Sequence, residues 1–376
     1  MDSWWPASSQ TPLYVGSPMV DQSEFAFRTL CRRYGTQLCY SPMLHAKVFL
    51  SDATYRAQRL DQDLLESTTY PVVVQFAGDE PQALLDAALL VQDRATAVDL
   101  NLGCPQPIAR KGHYGSFLLR DTDSILRILR NWKDNLSIPF TCKIRIVDEG
   151  SKDPQERGLQ ATLRLVDQIE AAGAAAITVH GRNRVMTGRK TGPADWTSIA
   201  AIQQRVSIPV IANGGIEFFA DVAACAAATG AKGIMSAEAL LENPAFFHGP
   251  ARLSPFRLTR EYLDLARAFP SWNFHRVEKA HVARLLHTVL RHLARQSAST
   301  ADALLANCSS VDDLDQAVCT IENAWAALPD GQECCGLQRD SWYRRHRAVE
   351  TNPTADRGAR KEVQKMWLAG GLRLTR

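Results

Sequence analysis

The 376-residue sequence lacks the signals that would place it among membrane, secreted or zinc-ribbon proteins. No stretch approaches the roughly 20 consecutive apolar residues of a transmembrane helix. The N-terminal MDSWWPASSQTP has neither the basic and apolar regions of a secretory signal nor an Arg-rich amphipathic pattern. The nine cysteines form no C-x-x-C pair and are odd in number, which disfavours a disulfide framework or a zinc ribbon. We therefore expect a cytoplasmic or nuclear protein without a membrane segment or a bound metal.

A strong excess of charge of either sign is also missing. The net charge is +3 with 22% charged and 45% hydrophobic residues, an ordinary globular composition. This balance permits a polyanionic partner without demanding one. The length allows one large α/β domain and a smaller one.

A repeated alternation of short apolar runs and longer helical patterns dominates the first two thirds of the chain. Continuous apolar runs are typical of parallel strands that are covered on both faces. Eight such runs occupy residues 13–19, 37–43, 72–78, 97–103, 140–146, 175–181, 209–215 and 232–238. Eight βα units over about 240 residues predict a (β/α)8 TIM barrel. A doubly wound sheet would carry G-x-G-x-x-G after its first strand, where this chain has GSPMVDQ.

After about residue 255 the pattern becomes helical without intervening strands, and residues 275–296 predict one long helix. Three arginines of this segment, Arg284, Arg291 and Arg295, lie seven and four residues apart and so share a face. Such a stripe indicates either a solvated helix face or a surface that binds phosphate. We expect four parts, which are an N-terminal arm (1–12), the barrel (13–250), a helical domain (251–328) and a basic, poorly ordered tail (329–376).

Polar residues follow six of the eight predicted strands, at the barrel end where chemistry gathers in this fold. A lone strand-end Gln or His often bonds only a loop carbonyl, and a lone cysteine often acts as a small hydrophobe. So many polar groups at one end would, however, be costly to desolvate without a function. The strand-end residues, most of them polar, are Pro18, Met19, Gln75, Asn101, Cys104, Lys143, Arg145, His180, Arg182, Asn213, Gly214 and Gly215.

The last two units and the middle strands indicate a bound nucleotide with a redox-active ring. Glycines after strand 7 and the turn after strand 8 suit a phosphate, although tight turns alone would also explain them. Lys143 could stabilise negative charge on a reduced flavin, and Gln75 could bond a pyrimidine edge. The thiol of Cys104 is mostly protonated at its reference pKa of about 8.5, which favours acid catalysis over nucleophilic attack.

Seven stretches together resemble the tRNA-dihydrouridine synthases, and most of all their eukaryotic branch that modifies positions 16 and 17. The similarity is strong over residues 13–250 and weaker over the following helices. NLGCP followed by KGHYG is the most specific part. The stretches are SPMVDQSEFAFR, CYSPMLHAKVF, NLGCPQPIARKGHYGSFLL, TCKIR, ITVHGR, IPVIANGGI and GIMSAEALLENP.

The resemblance implies an FMN-dependent enzyme that uses NADPH to reduce uridines in the tRNA D-loop to 5,6-dihydrouridine, with Cys104 as general acid. It implies that tRNA is the partner of the helical domain, and we expect a monomer. The residues that would contact the flavin ring or its phosphate are Ser17, Pro18, Met19, Gln75, Lys143, His180, Asn213, Gly214, Gly215, Ala237 and Glu238. The residues expected to contact RNA are Asn101, Lys111, His113, Arg145, Arg182, Arg284, Arg291 and Arg295.

Two alternatives remain open at this point. One is a flavin barrel that reduces a free pyrimidine, which has no evident need of a helical domain or of the GHYG loop. The other is a tRNA-binding protein that has lost catalysis, which has no chemical need of Cys104, Lys143 and His180 together.

Overall fold

The computed structural model describes residues 4–5, 12–65, 71–147, 154–188, 191–296 and 301–328. The predicted tail, 329–376, and nearly all of the predicted N-terminal arm lie outside these residues.

Nine parallel strands close into one barrel. The first strand pairs with both the second and the ninth, and the fourth to ninth pair with their neighbours in chain order. The strands are β1 (Leu13–Gly16), β2 (Leu38–Tyr40), β3 (Leu44–His45), β4 (Val72–Ala77), β5 (Ala97–Leu102), β6 (Phe140–Ile146), β7 (Ala176–Asn183), β8 (Val210–Asn213) and β9 (Gly233–Ser236). The predicted (β/α)8 barrel is thereby confirmed.

The second barrel position differs from the prediction, because the run 37–43 is not one strand. Both β2 and the short β3 pair with β4, so together they occupy a single position. Pro42 between them has no N–H to donate to the ladder. The Ser41 hydroxyl replaces part of the missing pairing by accepting from the Gln75 backbone N–H at 3.1 Å.

Helices cover the outside of the barrel and form the region that follows it. They are α1 (Phe25–Arg33), α2 (Ala46–Ser51), α3 (Ala53–Gln58), α4 (Pro81–Leu89), α5 (Pro107–Lys111), α6 (Thr122–Asn135), α7 (Pro154–Ala171), α8 (Trp196–Arg205), α9 (Phe219–Thr229), α10 (Glu238–Glu242), α11 (Pro255–Ala268), α12 (Glu278–Leu285), α13 (His287–Gln296), α14 (Ala301–Asn307) and α15 (Val311–Ala326). In α6 the Asp121 side chain caps the N-terminus through the Ser124 N–H at 3.0 Å. Its buried Ile125, Ile128 and Trp132 recur at helical spacing and face the barrel.

The interior of the barrel is apolar at one end and polar at the other. Trp4 packs on the apolar end, against a cluster that includes Leu13, Leu38, Ile211 and Met235. The polar end carries buried side chains of the middle strands, such as Asp99, Thr141, Gln75, Asn101 and Lys143. The apolar end is therefore the floor of the barrel, and the polar end is its mouth.

The helical region is not built from the single 275–296 helix that the sequence predicts. The chain forms α12 and α13 instead, separated at Leu286 with φ −91° and ψ 7°. Apolar residues keep their helical spacing across the break, which is why the pattern did not reveal it. Helix α11 packs on α1 of the barrel, and α12 packs on α10. None of the described helices is long and apolar enough to cross a bilayer.

Candidate active site at the barrel mouth

The predicted site residues of the barrel lie in the middle or the carboxyl-terminal part of its strands, or just after them. Gln75 is in β4, Lys143 in β6 and His180 in β7, while Asn213 is the last residue of β8. Cys104 follows β5 by two residues. Parallel strands bring these ends to one mouth, so side chains that are far apart in sequence become neighbours.

The loop that carries Cys104 is fixed from both sides. The Asn101 Oδ1 atom accepts hydrogen bonds from the N–H groups of Gly103 at 3.1 Å and Cys104 at 2.9 Å. Ser116 donates both its N–H and its hydroxyl to the Cys104 carbonyl at 3.0 Å. Gly115 has φ +64°, and a Cβ there would lie 2.6 Å from the same carbonyl oxygen. The position of the thiol therefore depends on a side chain before it and a glycine after it.

The surroundings of Cys104 keep its thiol protonated. Burial raises its pKa, and this outweighs the opposing effects of the Gln106 N–H and of the charges on Arg145 and Lys143. A thiol with a raised pKa is a poor nucleophile at neutral pH but can donate a proton. The site thus favours general-acid chemistry for Cys104.

Lys143 is buried, and the one hydrogen bond described for its ammonium group uses only one of three N–H donors. Its Nζ donates to the Asn213 Oδ1 at 3.0 Å, and the Asn213 amide is oriented by donating to the Met235 carbonyl at 3.0 Å. Burial, with the neighbouring Arg145, lowers the pKa of Lys143 to about 8. An ammonium group has three N–H donors, so Lys143 can also contact a ligand in the mouth.

Gln75 and Asn101 are joined by a hydrogen bond, and Gln75 also bonds Asp99, which the sequence did not indicate as a site residue. The Asn101 Nδ2 donates to the Gln75 Oε1 at 2.7 Å, and the Gln75 Nε2 donates to the Asp99 Oδ2 at 2.8 Å. Burial raises the pKa of Asp99 to about 6, against the bonds from Thr141 and Gln75. Asp99 lies within the apolar run AVDLNLG, and a buried acid there was the only available signal.

The glycine loop after β8 leaves no room for side chains. Gly214 has φ +101°, and a Cβ there would lie 2.8 Å from His180 Cδ2. Gly215 has φ +76°, and its Cβ would lie 3.2 Å from Trp196 Nε1, which donates to the Gly214 carbonyl at 3.0 Å. Only glycine combines this backbone with so close an approach.

The ends of β1 and β9 complete the mouth. The Ser17 N–H donates to the Ser236 carbonyl at 3.0 Å, and the Ser23 hydroxyl braces the backbone of Met19, next to Pro18. Ala237 precedes α10 and Glu238 begins it. The Ser236 hydroxyl is buried without a hydrogen-bond partner in the described residues. An unpaired buried hydroxyl next to the glycine loop fits a phosphate-bearing ligand.

Two arginines expected to contact RNA are buried and hold loops. Arg145 donates to the carbonyls of Gly103 at 2.8 Å and Asn183 at 2.9 Å. Arg182 donates to the Gly192 carbonyl at 2.9 Å, and its Nη1 lies 3.0 Å from His180 Nε2. Burial, with Arg182 nearby, lowers the pKa of Arg145 to about 10. Direct contact of either arginine with RNA stays a prediction.

The remaining RNA-binding candidates lie in different environments. Lys111 ends α5 and is exposed, and His113 is exposed with φ +51°, its Nε2 lying 3.6 Å from the Asp121 carboxylate. Arg295 is exposed and Arg291 half-buried on α13. Burial lowers the pKa of Arg284, on α12, to about 10 against the effect of Glu242. The three arginines therefore do not form one uniformly exposed stripe.

The described residues contain no group of three or more His, Cys, Asp or Glu side chains that could hold a metal ion. The side chains placed at the polar mouth are amides, a lysine, a thiol, an imidazole, two arginines and one carboxylate, beside the glycine loop.

Residues 15–318 match the family described as dihydrouridine synthase (Dus). A mouse tRNA-dihydrouridine(16/17) synthase-like protein is 43% identical over 288 residues, which cover 77% of this chain and 58% of the mouse protein. The Saccharomyces cerevisiae tRNA-dihydrouridine(16/17) synthase is 39% identical over 291 residues, covering 75% of this chain and 67% of the yeast protein. A human tRNA-dihydrouridine(20a/20b) synthase-like protein is 32% identical over 305 residues, covering 80% and 89%.

The names of these relatives also include NAD(P)+. The chain spans less than two thirds of the length of the mouse protein. Since the family match extends over most of the sequence and includes the whole barrel mouth, the chain belongs to the dihydrouridine synthase family.

Proposed function

We propose that the protein reduces uridines of the tRNA D-loop, at positions 16 and 17, to 5,6-dihydrouridine, with bound FMN and NADPH as the hydride source. The observation that carries this proposal is a protonated, rigidly held thiol in a mouth that also contains a buried lysine and a glycine loop. The identities of 43% and 39% with relatives named for positions 16 and 17 support the choice of substrate.

The residues of the mouth fit a flavin nucleotide. Lys143 offers charge and spare donors, Gln75 offers an amide, and the glycine loop with the Ser236 hydroxyl offers a place for the phosphate. When bound, FMN would supply the hydride that is added to C6 of the uracil ring. The residues proposed to hold it are Ser17, Pro18, Met19, Gln75, Lys143, His180, Asn213, Gly214, Gly215, Ala237 and Glu238.

Cys104 completes the reduction by giving its proton to C5 of the same ring. The S–H bond breaks as the C–H bond forms, and the charges of Arg145 and Lys143 stabilise the thiolate that is left. Solvent then returns a proton to the sulfur. Because the pKa of the resting thiol is raised, the acid form is already present when substrate arrives.

The target uracil has to leave its stack to reach a thiol at the barrel mouth. Phosphate contacts offset part of that cost. Two exposed cations are suited to this, Lys111 at the end of α5 and Arg295 on α13 of the helical region, together with half-buried Arg291. We propose that the helical domain orients the tRNA and so selects the uridine.

The full-length protein tests this proposal through its cofactor and its product. We expect it to bind FMN, to oxidise NADPH, and to form dihydrouridine at positions 16 and 17 of tRNA from cells that lack the enzyme. The Cys104→Ala variant should keep FMN but form dihydrouridine at least about 100-fold more slowly than the wild type, because a general acid usually contributes that much to the rate. Cys319→Ala, which removes an exposed thiol on α15, is the matched control and should be fully active.

Three results would contradict the proposal. Failure to bind FMN would exclude the flavin chemistry, and unchanged product formation by Cys104→Ala would exclude the acid role. Reduction of free uracil in preference to tRNA would indicate a small-molecule reductase instead.

A further inference from the structure

The barrel interior contains one carboxylate to which the proposed chemistry gives no role. Asp99 lies on β5, opposite Gln75 of β4 and Thr141 of β6, and it is fully buried. Its Oδ1 accepts from the Thr141 hydroxyl at 2.6 Å and its Oδ2 from the Gln75 Nε2 at 2.8 Å. A buried carboxylate is costly, so a position beneath the mouth calls for an explanation.

A continuous chain of hydrogen bonds runs from this carboxylate to the Cys104 loop. Asp99 accepts from Gln75, Gln75 accepts from Asn101, and Asn101 accepts from the N–H groups of Gly103 and Cys104. All of these donor–acceptor distances lie between 2.7 and 3.1 Å. The two amides in the middle of the chain are buried, so they have no bulk water as an alternative partner.

The direction of every bond in this chain follows from its two ends. An ionised carboxylate can only accept, so Gln75 must turn its NH2 group towards Asp99 and its carbonyl towards Asn101. Asn101 must then donate to Gln75, which leaves its own carbonyl facing the loop. The opposite orientation would set the Asn101 NH2 group against two backbone N–H donors.

We propose that Asp99 is a positioning residue that fixes the amide orientations of Gln75 and Asn101 and thereby holds the Cys104 loop. Without its acceptor, Gln75 can rotate and Asn101 loses the bond that keeps its carbonyl under the loop. The thiol then moves from the place set by Asn101 and Gly115. The link to catalysis rests on the proposed acid role of Cys104, whereas the control of the loop does not.

The alkylation rate of Cys104 reports how firmly its loop is held in place, and the measurement needs neither FMN nor tRNA. The full-length protein is treated with iodoacetamide, and the modified Cys104 peptide is quantified by mass spectrometry, which separates it from the other cysteines. Rates are taken across pH, because a changed thiol pKa shifts the profile while a released loop raises its high-pH plateau.

Asp99→Asn is nearly isosteric but can donate as well as accept, so it removes the directional constraint. We expect its plateau rate to exceed that of the wild type by about tenfold, the size expected for loss of a buried charge-assisted hydrogen bond. Thr141→Val is the matched control, because it removes the hydroxyl on Oδ1 and leaves the Gln75 bond to Oδ2 in place. We expect its rate to stay within about twofold of the wild type.

A double variant tests the direction of the chain and covers the case in which Asp99→Asn does not fold. In Gln75→Glu with Asp99→Asn, the introduced carboxylate accepts from Asn101, as Gln75 does, and also from the new amide at position 99. Every bond is therefore restored, and only the bond between positions 75 and 99 has its donor and acceptor exchanged. We expect this protein to fold and its Cys104 plateau rate to return to within about twofold of the wild type.

Three outcomes would overturn the proposal. These are an unchanged rate in Asp99→Asn, an equal rise in Thr141→Val, or a double variant whose thiol stays as reactive as that of Asp99→Asn. If Cys104→Ala still forms dihydrouridine while Asp99→Asn releases the loop, the acid role fails and the positioning role stands.

Discussion

At the scale of single residues, burial shifts the pKa values of Cys104 and Lys143 in opposite directions and towards the neutral form of each. It raises the pKa of the thiol and, with Arg145 nearby, lowers that of the ammonium group to about 8. The thiol is therefore securely protonated near neutral pH. Lys143, by contrast, loses its charge at mildly alkaline pH, because its pKa is only about 8.

The proposed binding of FMN should consequently weaken as pH rises through about 8. The charged form of Lys143 favours an electron-rich or anionic ligand, and above its pKa each further pH unit removes most of that form. We expect the affinity for FMN to fall by up to about tenfold per pH unit above this value. Titrations that follow the quenching of FMN fluorescence would measure it.

Lys143→Met supplies the control for this titration. It should bind FMN more weakly at pH 7 and show a nearly flat profile, because the titrating group is gone. A wild-type profile that is equally flat would mean that Lys143 keeps its charge throughout or does not contact the ligand.

The residues of the mouth differ in how far the sequence could identify them. Gln75, Lys143 and His180 each stand at or beyond the middle of an apolar run, which indicates a side chain near the barrel mouth. Asp99 sits inside such a run, and only the structure shows that it bonds Gln75 rather than a helix. The sequence also cannot show that Arg284 is mostly buried while Arg295 is exposed, because spacing places both on one helical face.

At the scale of secondary-structure elements, one buried acid joins the barrel to the helical domain. Glu24, the N-cap of α1, accepts from the Phe27 N–H at 3.2 Å and from Tyr262 of α11 at 3.0 Å. Its other oxygen lies 2.9 Å from Nε2 of His281 on α12. Burial alone would raise the pKa of Glu24, but the interactions with His281 and the other hydrogen bonds hold it below its usual value.

Loss of His281 should destabilise the protein more than loss of the Tyr262 hydroxyl. His281→Ala leaves a buried carboxylate oxygen without its partner at 2.9 Å, which we expect to lower the free energy of unfolding by about 3 kcal/mol or more. Tyr262→Phe removes one hydrogen bond and should cost about 1.5 kcal/mol. Urea unfolding of both variants would measure the difference.

The pH dependence of this contact has a definite sign. Because the folded pKa of Glu24 is lowered, its contribution is fully present above the unfolded value of 4.5 and is lost as pH falls through the folded one. Equal destabilisation by His281→Ala and Tyr262→Phe would show that His281 acts only through packing on Phe27.

The sequence predicts one strand where β2 and β3 form, and one helix where α12 and α13 form. In both places the apolar pattern continues across a break in the backbone. The largely apolar run 37–43 continues to Leu44, although Pro42 separates β2 from β3. Residues 282–293 keep helical spacing although Leu286 separates α12 from α13. Periodicity reports which side of the chain is buried, and it is blind to a local change of backbone that leaves that side unchanged. The barrel itself was predictable because eight separate runs had to agree.

The helical domain should contribute to tRNA binding through Arg291. In the described residues no acidic side chain pairs with it, whereas Arg257, Arg260 and Arg267 all contact acidic side chains. We expect Arg291→Ala to weaken tRNA binding and to reduce the slope of log K against log salt by about 1.

Arg257→Ala is the matched control for this experiment. It removes the same charge from an exposed position on α11 that is paired with Glu261 at 2.9 Å, so both the affinity and the slope should stay close to those of the wild type. An equal effect of the two variants would mean that only the total charge of the domain matters.

At the scale of the whole molecule, the two ends of the barrel interior differ, and only one of them is lined by polar side chains in the described residues. The apolar cluster under Trp4 fills the floor, and polar side chains are confined to the mouth. A packed barrel interior offers no passage for a small molecule. Any nicotinamide and any uridine that react at Cys104 and its neighbours must therefore enter through the same opening.

A shared opening would require the two proposed substrates, NADPH and tRNA, to bind one after the other. If NADPH has to depart before the tRNA can insert its base, the enzyme alternates between two forms and the kinetics are ping-pong. Double-reciprocal plots of initial rate at several fixed tRNA concentrations should then give parallel lines, with oxidised nicotinamide acting as a competitor of tRNA. Intersecting lines would require that both substrates be accommodated together, which a single opening of this kind does not favour.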